Sequence, residues 1–463
     1  MSVAVAAPHP AAIEAARAVV ADGGNAFDAA LAAAGALAVV YPHQCSVGGD
    51  LVAMVRPAGS AVRAVLSIGA AALDARVESM PLRGPQTVTV PGVVAGWAAV
   101  QSLGARLPLG ALLAPAIGFA AGGVEKSKGL RTAISQGLDV IRADPGLAAV
   151  LLGPTLVQPA LAETLTGIAR DWRSFYAGPL NRRLVAGLRS LGSALSAADF
   201  AAHAAEVGAP LSRTVGDVAW HAAPPPVQGA TFLAVVGSRS LVADSRRAQA
   251  ARNALLGDPR GGPVSIDGLL LRTREAFDPR PEPPKPTGDT VAVTATDDEG
   301  NAVTIIQSVF ESFGAGLLEP ATGVVLHNRG TSFSLDPAHP AHFGGGLRPP
   351  HTLCPTIALT PGGVVALGCQ GGRAQPWILA QLAPDVLTAD AAELVSRPRW
   401  IVRGDDLIVE PGLPPLDPAG LTVTTTAGPH DDAGHVQLAR LRSGTLDAGS
   451  DPRADGLAAV LTT

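Results

Sequence analysis

The sequence predicts a mixed α/β (α+β) fold, and three observations carry that expectation. Residues up to about 277 read largely as alanine-rich helix, whereas those from Thr290 onward alternate in the manner of strands. Between them, the proline-rich run 278–289 cannot be helix, because each proline removes a donor and clashes with the preceding turn. Apolar residues make up 47% of 463, with a formal charge of only −5, which supports a sizeable core and excludes global disorder. The helix-rich part (1–289) and the strand-rich part (290–463) are either two domains or interleaved halves of one sandwich. Pattern alone leaves both open.

Two alanine-rich helices, Pro10 to Ala21 and Asn25 to Val40, are separated by Gly23-Gly24, a stop followed by an Asn cap. Short strands are expected at Leu51–Val55, Val62–Leu66 and Thr87–Val90. Helices follow at Val93–Leu103, Leu109–Ala121, Leu130–Ile141, Pro159–Arg170, Asn181–Leu191, Arg246–Leu256 and Ile266–Phe277. The run 278–289 reads as an extended linker. Later strands are expected at Thr290–Asp297, Ala302–Ser308, Gly323–Leu326, Thr356–Leu359, Val364–Leu367, Trp400–Val402, Leu407–Glu410 and Leu421–Thr425, with a helix near Trp377–Leu382.

Composition narrows the function. A pI near 6.1 and the lack of a basic run argue against nucleic acid and anionic membranes as partners. Cys45, Cys354 and Cys369 are too few and scattered for a disulfide framework, and neither Cys nor His spacing suggests a metal site. No basic n-region opens the chain, and no apolar stretch approaches the roughly 20 residues of a membrane span. The expected location is the cytoplasm, with a small molecule as partner and no cofactor.

The chemistry concentrates around residue 290. Gly288-Asp289-Thr290-Val-Ala-Val-Thr-Ala-Thr-Asp297 opens a strand with a threonine, and Asp-Glu-Gly-Asn301 turns it into a second strand ending at Gln307-Ser308. Further blocks are Gly23-Gly-Asn-Ala-Phe-Asp28, Pro42-His43, Gly48-Gly-Asp50, Pro91-Gly-Val-Val-Ala-Gly-Trp97, Asn328-Arg-Gly-Thr-Ser-Phe-Ser334, Arg348-Pro-Pro-His-Thr352, Gly371-Gly372, Arg397-Pro-Arg-Trp400 and Asp451-Pro-Arg-Ala-Asp-Gly456. In this order they resemble the γ-glutamyltransferase family of N-terminal-nucleophile (Ntn) hydrolases, in its γ-glutamyltransferase-like branch. The resemblance implies a four-layer αββα sandwich built jointly by two fragments that stay associated after cleavage between Asp289 and Thr290.

A threonine hydroxyl needs a base, and a freed α-amine with a pKa of about 7.7–8.0 supplies one on the same residue. The resemblance therefore makes Thr290 the nucleophile and base, Gly371 and Gly372 the oxyanion hole, and Ser308 the hydroxyl supporting the nucleophile. The plain alternatives are an ordinary strand threonine, a tight strand-to-helix turn and a solvent-facing serine. His351 and Thr352 fall where γ-glutamyl enzymes bind the substrate's α-carboxylate, and Asn328 where it orders the pocket. Two stretches depart from the pattern. Ala70 stands where the family's carboxylate-binding arginine falls, and Arg329 with Ser332 replaces residues that hold the α-amino group, reversing the charge. The implied activity is acyl hydrolysis or transfer on a substrate other than ordinary glutathione. The alternatives are a C–C bond hydrolase removing an acyl group in natural-product biosynthesis, and an uncleaved ligand-binding homologue.

Overall fold

A computed structural model describes residues 1–277 and 289–463, so the proline-rich linker lies outside the described residues except for the backbone at Asp289. Two antiparallel sheets form the centre. The first has seven strands in the order Leu457–Thr462, Ser2–Ala7, Asp289–Asp297, Ala302–Phe310, Asp50–Arg56, Arg63–Ser67 and Glu206–Gly208. The second has six: Thr445–Ser450, Val436–Arg442, Gly363–Cys369, Thr356–Thr360, Val218–Ala222 and Leu211–Val215. Both sheets take strands from either side of residue 290. Each part alone would leave sheet edges and faces uncovered.

Strand periodicity builds the layers, because successive side chains point to opposite faces. Val52, Met54, Ala292 and Ile306 of the first sheet meet Ile357 and Val364 of the second in one buried cluster. Their neighbours Leu51, Ala53, Val291, Val293, Val303 and Ile305 face outward, under the helices Pro10–Ala21, Ala26–Val40, Val93–Gly104, Leu109–Gly122 and Pro159–Arg170. On the far side, Trp220, Val365, Leu367 and Leu438 pack under Gly229–Val235, Leu241–Leu255, Gln375–Leu382 and Ala391–Ser396. The result is the αββα sandwich the resemblance implies.

Every residue of Ala26–Val40 is buried, and a capping box between Asn25 and Asp28 closes its first turn. This helix is tied to the strand carrying Ser308. Gln307 donates from Nε2 to the Ala34 carbonyl at 2.7 Å and accepts from Trp97 Nε1 at 3.0 Å. The hairpin after the Asp289–Asp297 strand is fixed by the Asp297 carboxylate, which accepts from Asn301 Nδ2, from the Glu299 and Asn301 amides and from the Ala26 amide.

Several expected elements differ. Thr87–Val90 is not a strand: Gly84 at φ 108° and Pro85 start a 3-10 turn at Pro85–Thr87, and Val90 donates to the Ala70 carbonyl outside any ladder. Leu130–Ile141 divides at Gly137, where a Cβ would stand 3.0 Å from the Phe313 ring. The helix begun at Ile266 stops at Leu269, because Leu271 adopts a left-handed φ of 55°. Among the described residues, no helix is long and apolar enough to cross a membrane.

Candidate active site

Thr290, Ser308 and Asp50 sit on three adjacent strands of the first sheet. Asp50 is the ladder partner of Ser308. On the other side the register shifts: Asp289 pairs with Phe310 and Val291 with Gln307, so Ser308 and Val309 together face Thr290. Such an irregularity re-aims side chains and is common beside active sites. Thr290 is only 2% exposed, and its Oγ1 donates to Ser308 Oγ at 3.2 Å. Ser308 is buried rather than solvent-facing, and its Oγ also accepts from the Phe310 amide at 2.8 Å. Phe310 carries the local strain, with φ at 79°.

The Gly371–Gly372 turn leaves the Gly363–Cys369 strand, which is stacked on the strand carrying Thr290. At Gly368 an added Cβ would lie 3.4 Å from Ala292 and 2.9 Å from Thr304. Gly371 has φ 148° and Gly372 φ 51°, and a Cβ on Gly371 would stand 2.7 Å from Ile378, so both positions favour glycine. The turn is locked to the Pro350–Leu353 loop by Gln228, whose Nε2 donates to the carbonyls of Gly372 (2.9 Å) and Thr352. Gln228 Oε1 accepts from Arg252 Nη1, which also donates to the Arg373 carbonyl at 2.8 Å. Sequence reading passed over Gln228, which has no motif of its own.

A buried charge cluster lies behind this turn. Asp50 Oδ1 accepts from the Gly69 amide at 3.0 Å, and Oδ2 lies 3.4 Å from both His327 Nδ1 and His351 Nε2. Burial would raise the Asp50 carboxyl, but His327 and His351 outweigh it and hold the pKa below the usual carboxylate range. Burial lowers His351 to about 3, with the Arg329 charge acting in the same sense against the opposing pull of Asp50. His351 is therefore neutral, with Nδ1 accepting from the Leu353 amide and Nε2 turned to Asp50. That makes it a neutral group of the cavity wall rather than a charged ligand group. Gly48-Gly49-Asp50 was visible as a block, but its partners lie in two distant segments.

Arg329 begins a 3-10 turn, Arg329–Ser332, and is buried, with 1% exposure. Its guanidinium lies 3.7 Å over the Phe310 ring. Asn328 orders this turn, donating to the Leu82 carbonyl and accepting from the Glu311 amide. Thr331, Ser332, His351, Thr352, Gln228 and Arg373 contribute to the lining of a cavity of about 320 Å³. Ala70 is not among its lining residues. It borders a separate cavity of about 220 Å³ with His203 and Arg260. Among the described residues, no cluster of His, Cys, Asp and Glu has the makings of a metal site.

Comparison with known proteins places this geometry. The sequence model of the Gamma-glutamyltranspeptidase family matches residues 12–461. An oxamate amidohydrolase proenzyme of Klebsiella pneumoniae is 35% identical, over 98% of this chain and 97% of that protein. The glutathione hydrolase-like YwrD proenzyme of Bacillus subtilis is 30% identical over the same shares. The crystal structure of a cephalosporin acylase from Bacillus halodurans superposes with a TM-score of 0.88 at 27% identity, covering 99% of this chain and 95% of that one. The chain belongs to the γ-glutamyltranspeptidase family, an Ntn hydrolase related to acylases and amidohydrolases.

Proposed function

We propose that the chain is an autoprocessed amide hydrolase that works through an acyl-enzyme on Thr290. The observation that carries the reading is the buried Thr290 hydroxyl, 3.2 Å from Ser308 at a ladder irregularity, immediately after the bond to be cut. In processing, Thr290 Oγ attacks the Asp289 carbonyl carbon. An ester bond forms as the Asp289–Thr290 amide bond breaks, the Thr290 nitrogen takes the proton, and water then hydrolyses the ester. The freed amine takes the Oγ proton in each later turnover, and the backbone amides of Gly371 and Gly372 donate to the oxyanion.

Hydrolysis of an amide outside the γ-glutamyl class fits best. The relative named oxamate amidohydrolase spans nearly the whole chain, and Arg329 brings a positive charge to the position where the family pattern holds a substrate α-amino group. The interleaved sheets support fragments that remain one unit after cleavage. Intact-mass measurement tests this reading: fragments of 289 and 174 residues are expected from the wild type and a single chain from Thr290→Ala. A wild-type chain still whole after long incubation at neutral pH overturns it.

A further inference from the structure

We propose that Arg329 anchors the acyl end of the substrate, and that the acyl group it selects is a short dicarboxylic half-amide of succinyl type. The inference rests on the Thr290 acyl-enzyme reading and adds the class of acyl group to it.

The fold's other deeply buried arginines are fully engaged. Arg399 donates to the carbonyls of Ala433, Val395 and Gly434 and to Asp451. Arg440 uses all three nitrogens on Asp447, Val386 and Ala389. Arg348 is held by Asp258 and Glu206. Arg329 differs. Its Nε and Nη2 have no hydrogen-bond partner, and Nη1 reaches only Ser332 Oγ at 3.4 Å. No ion pair joins it to a carboxylate among the described residues, since Asp50 is turned to Gly69 and the two histidines. Leaving buried guanidinium donors unmet is costly, and a planar two-oxygen anion is the ligand whose geometry meets Nε and Nη2 together.

Two facts place that anion on the acyl side. The Phe310 ring beneath Arg329 belongs to the ladder partner of Asp289, the residue whose carbonyl Thr290 attacks in self-cleavage. That first acyl group is itself an aspartyl, with a carboxylate three bonds from the carbonyl carbon, the spacing of a succinyl group. The nucleophile thus already accepts an acyl group of this class, and the unmet guanidinium stands one strand away.

The test compares 4-nitroanilides of succinate and of butyrate, its neutral analogue, with processed wild-type protein and with Arg329→Gln and Arg329→Lys. The wild type should prefer the succinyl substrate by about 30-fold or more in kcat/KM, the lower bound for a desolvated, hydrogen-bonded charge pair. Arg329→Gln should bring that ratio within a few-fold of one, mainly through KM, and Arg329→Lys should fall between. A wild type that takes butyryl as well as succinyl, or an Arg329→Gln ratio equal to that of the wild type, overturns the inference. Should Arg329→Gln fail to fold, the wild-type ratio and the lysine variant decide alone. A fully cleaved wild type that turns over neither anilide sinks the succinyl assignment while leaving the Thr290 reading intact; an uncleaved chain sinks that reading itself.

Discussion

The site is assembled from two kinds of structure. Thr290, Ser308 and Asp50 sit on neighbouring strands, so ladder register fixes their spacing before any side chain packs. Arg329–Ser332 is a 3-10 turn, and Pro350–Thr352 is an irregular segment with a single bridge, His351 to Val227, in place of a ladder. They are held instead by buried polar groups: Asp50 faces His351, and Gln228 ties Thr352 to Gly372. The difference teaches a division of labour. Register fixes the Thr290–Ser308 geometry, while Ser332, His351 and Thr352 line the cavity, and Asp50 touches both halves.

Breaking that shared residue should have the largest effect. Asp50→Leu leaves Arg329 without the nearby negative charge and the Gly69 amide without its acceptor. Removing one partner of a buried charge arrangement costs about 3–5 kcal/mol. Denaturant unfolding of the variant should show a loss in that range, with Asp50→Asn intermediate because it keeps an acceptor for Gly69. A loss below about 1 kcal/mol would mean that the carboxylate does not join the two halves.

Ser308→Ala cuts only the strand-built half. It removes the acceptor for both Thr290 Oγ1 and the Phe310 amide. Leaving a buried donor unmet costs about 1–3 kcal/mol, which corresponds to roughly 5- to 150-fold in rate if it is felt mainly in the transition state. Time courses of self-cleavage followed by mass should slow by that order, while Ser308→Thr retains most of the rate. Equal cleavage rates for alanine variant and wild type would return Ser308 to a structural role.

What the sequence made legible follows the same division. Pro10–Ala21 and Pro159–Arg170 were readable to the residue, because proline at the first helical position and a continuous apolar stripe mark both. The strand Ser2–Ala7 was missed: it lies between two partners, is buried along almost its whole length and is half alanine, so it shows no alternation. Val436–Arg442, Thr445–Ser450 and Leu457–Thr462 also escaped notice, as did the Val218–Ala222 hairpin. At the site, Thr290 and Gly371–Gly372 were legible because each stands inside a compact motif. The pairing of Asp50 with His327 and His351 was not, since tertiary folding alone joins those three segments.

Acidification should sharpen the comparison from the loop side. Burial lowers His351 and His43 to about 3 and His203 to about 4, so all three are neutral in the folded protein at pH 5. In the unfolded chain a histidine takes up its proton near pH 6.5. Between about 6.5 and 4 the unfolded state therefore binds more protons, and stability falls as pH falls, by at most about 1.4 kcal/mol per pH unit for each histidine. The Asp50 carboxylate, held below its ordinary value, adds a loss of the same sign at still lower pH. Unfolding free energies measured at pH 7, 6 and 5 should show this slope, and His351→Asn should remove one histidine's share of it. An unchanged slope would mean that His351 is protonated in the folded state.

The smallest effect is expected at the position that family pattern alone marks as decisive. Ala70→Arg would replace the missing arginine by sequence position, yet Ala70 borders the cavity of His203 and Arg260, whereas Ser332, His351 and Thr352 line another. Arg260 already supplies a guanidinium to that smaller cavity, paired with Glu206. A second one beside it adds like-charge repulsion, while the charge at Arg329 still opposes an α-amino group. We therefore expect Ala70→Arg to leave hydrolysis of γ-glutamyl 4-nitroanilide within a few-fold of the wild type. Pairing it with Arg329→Gln removes the opposing charge, so any gain should appear only in the double variant. A large gain from Ala70→Arg alone would show that recognition reaches beyond the turn-built half, into the cavity that Ala70 borders with His203 and Arg260.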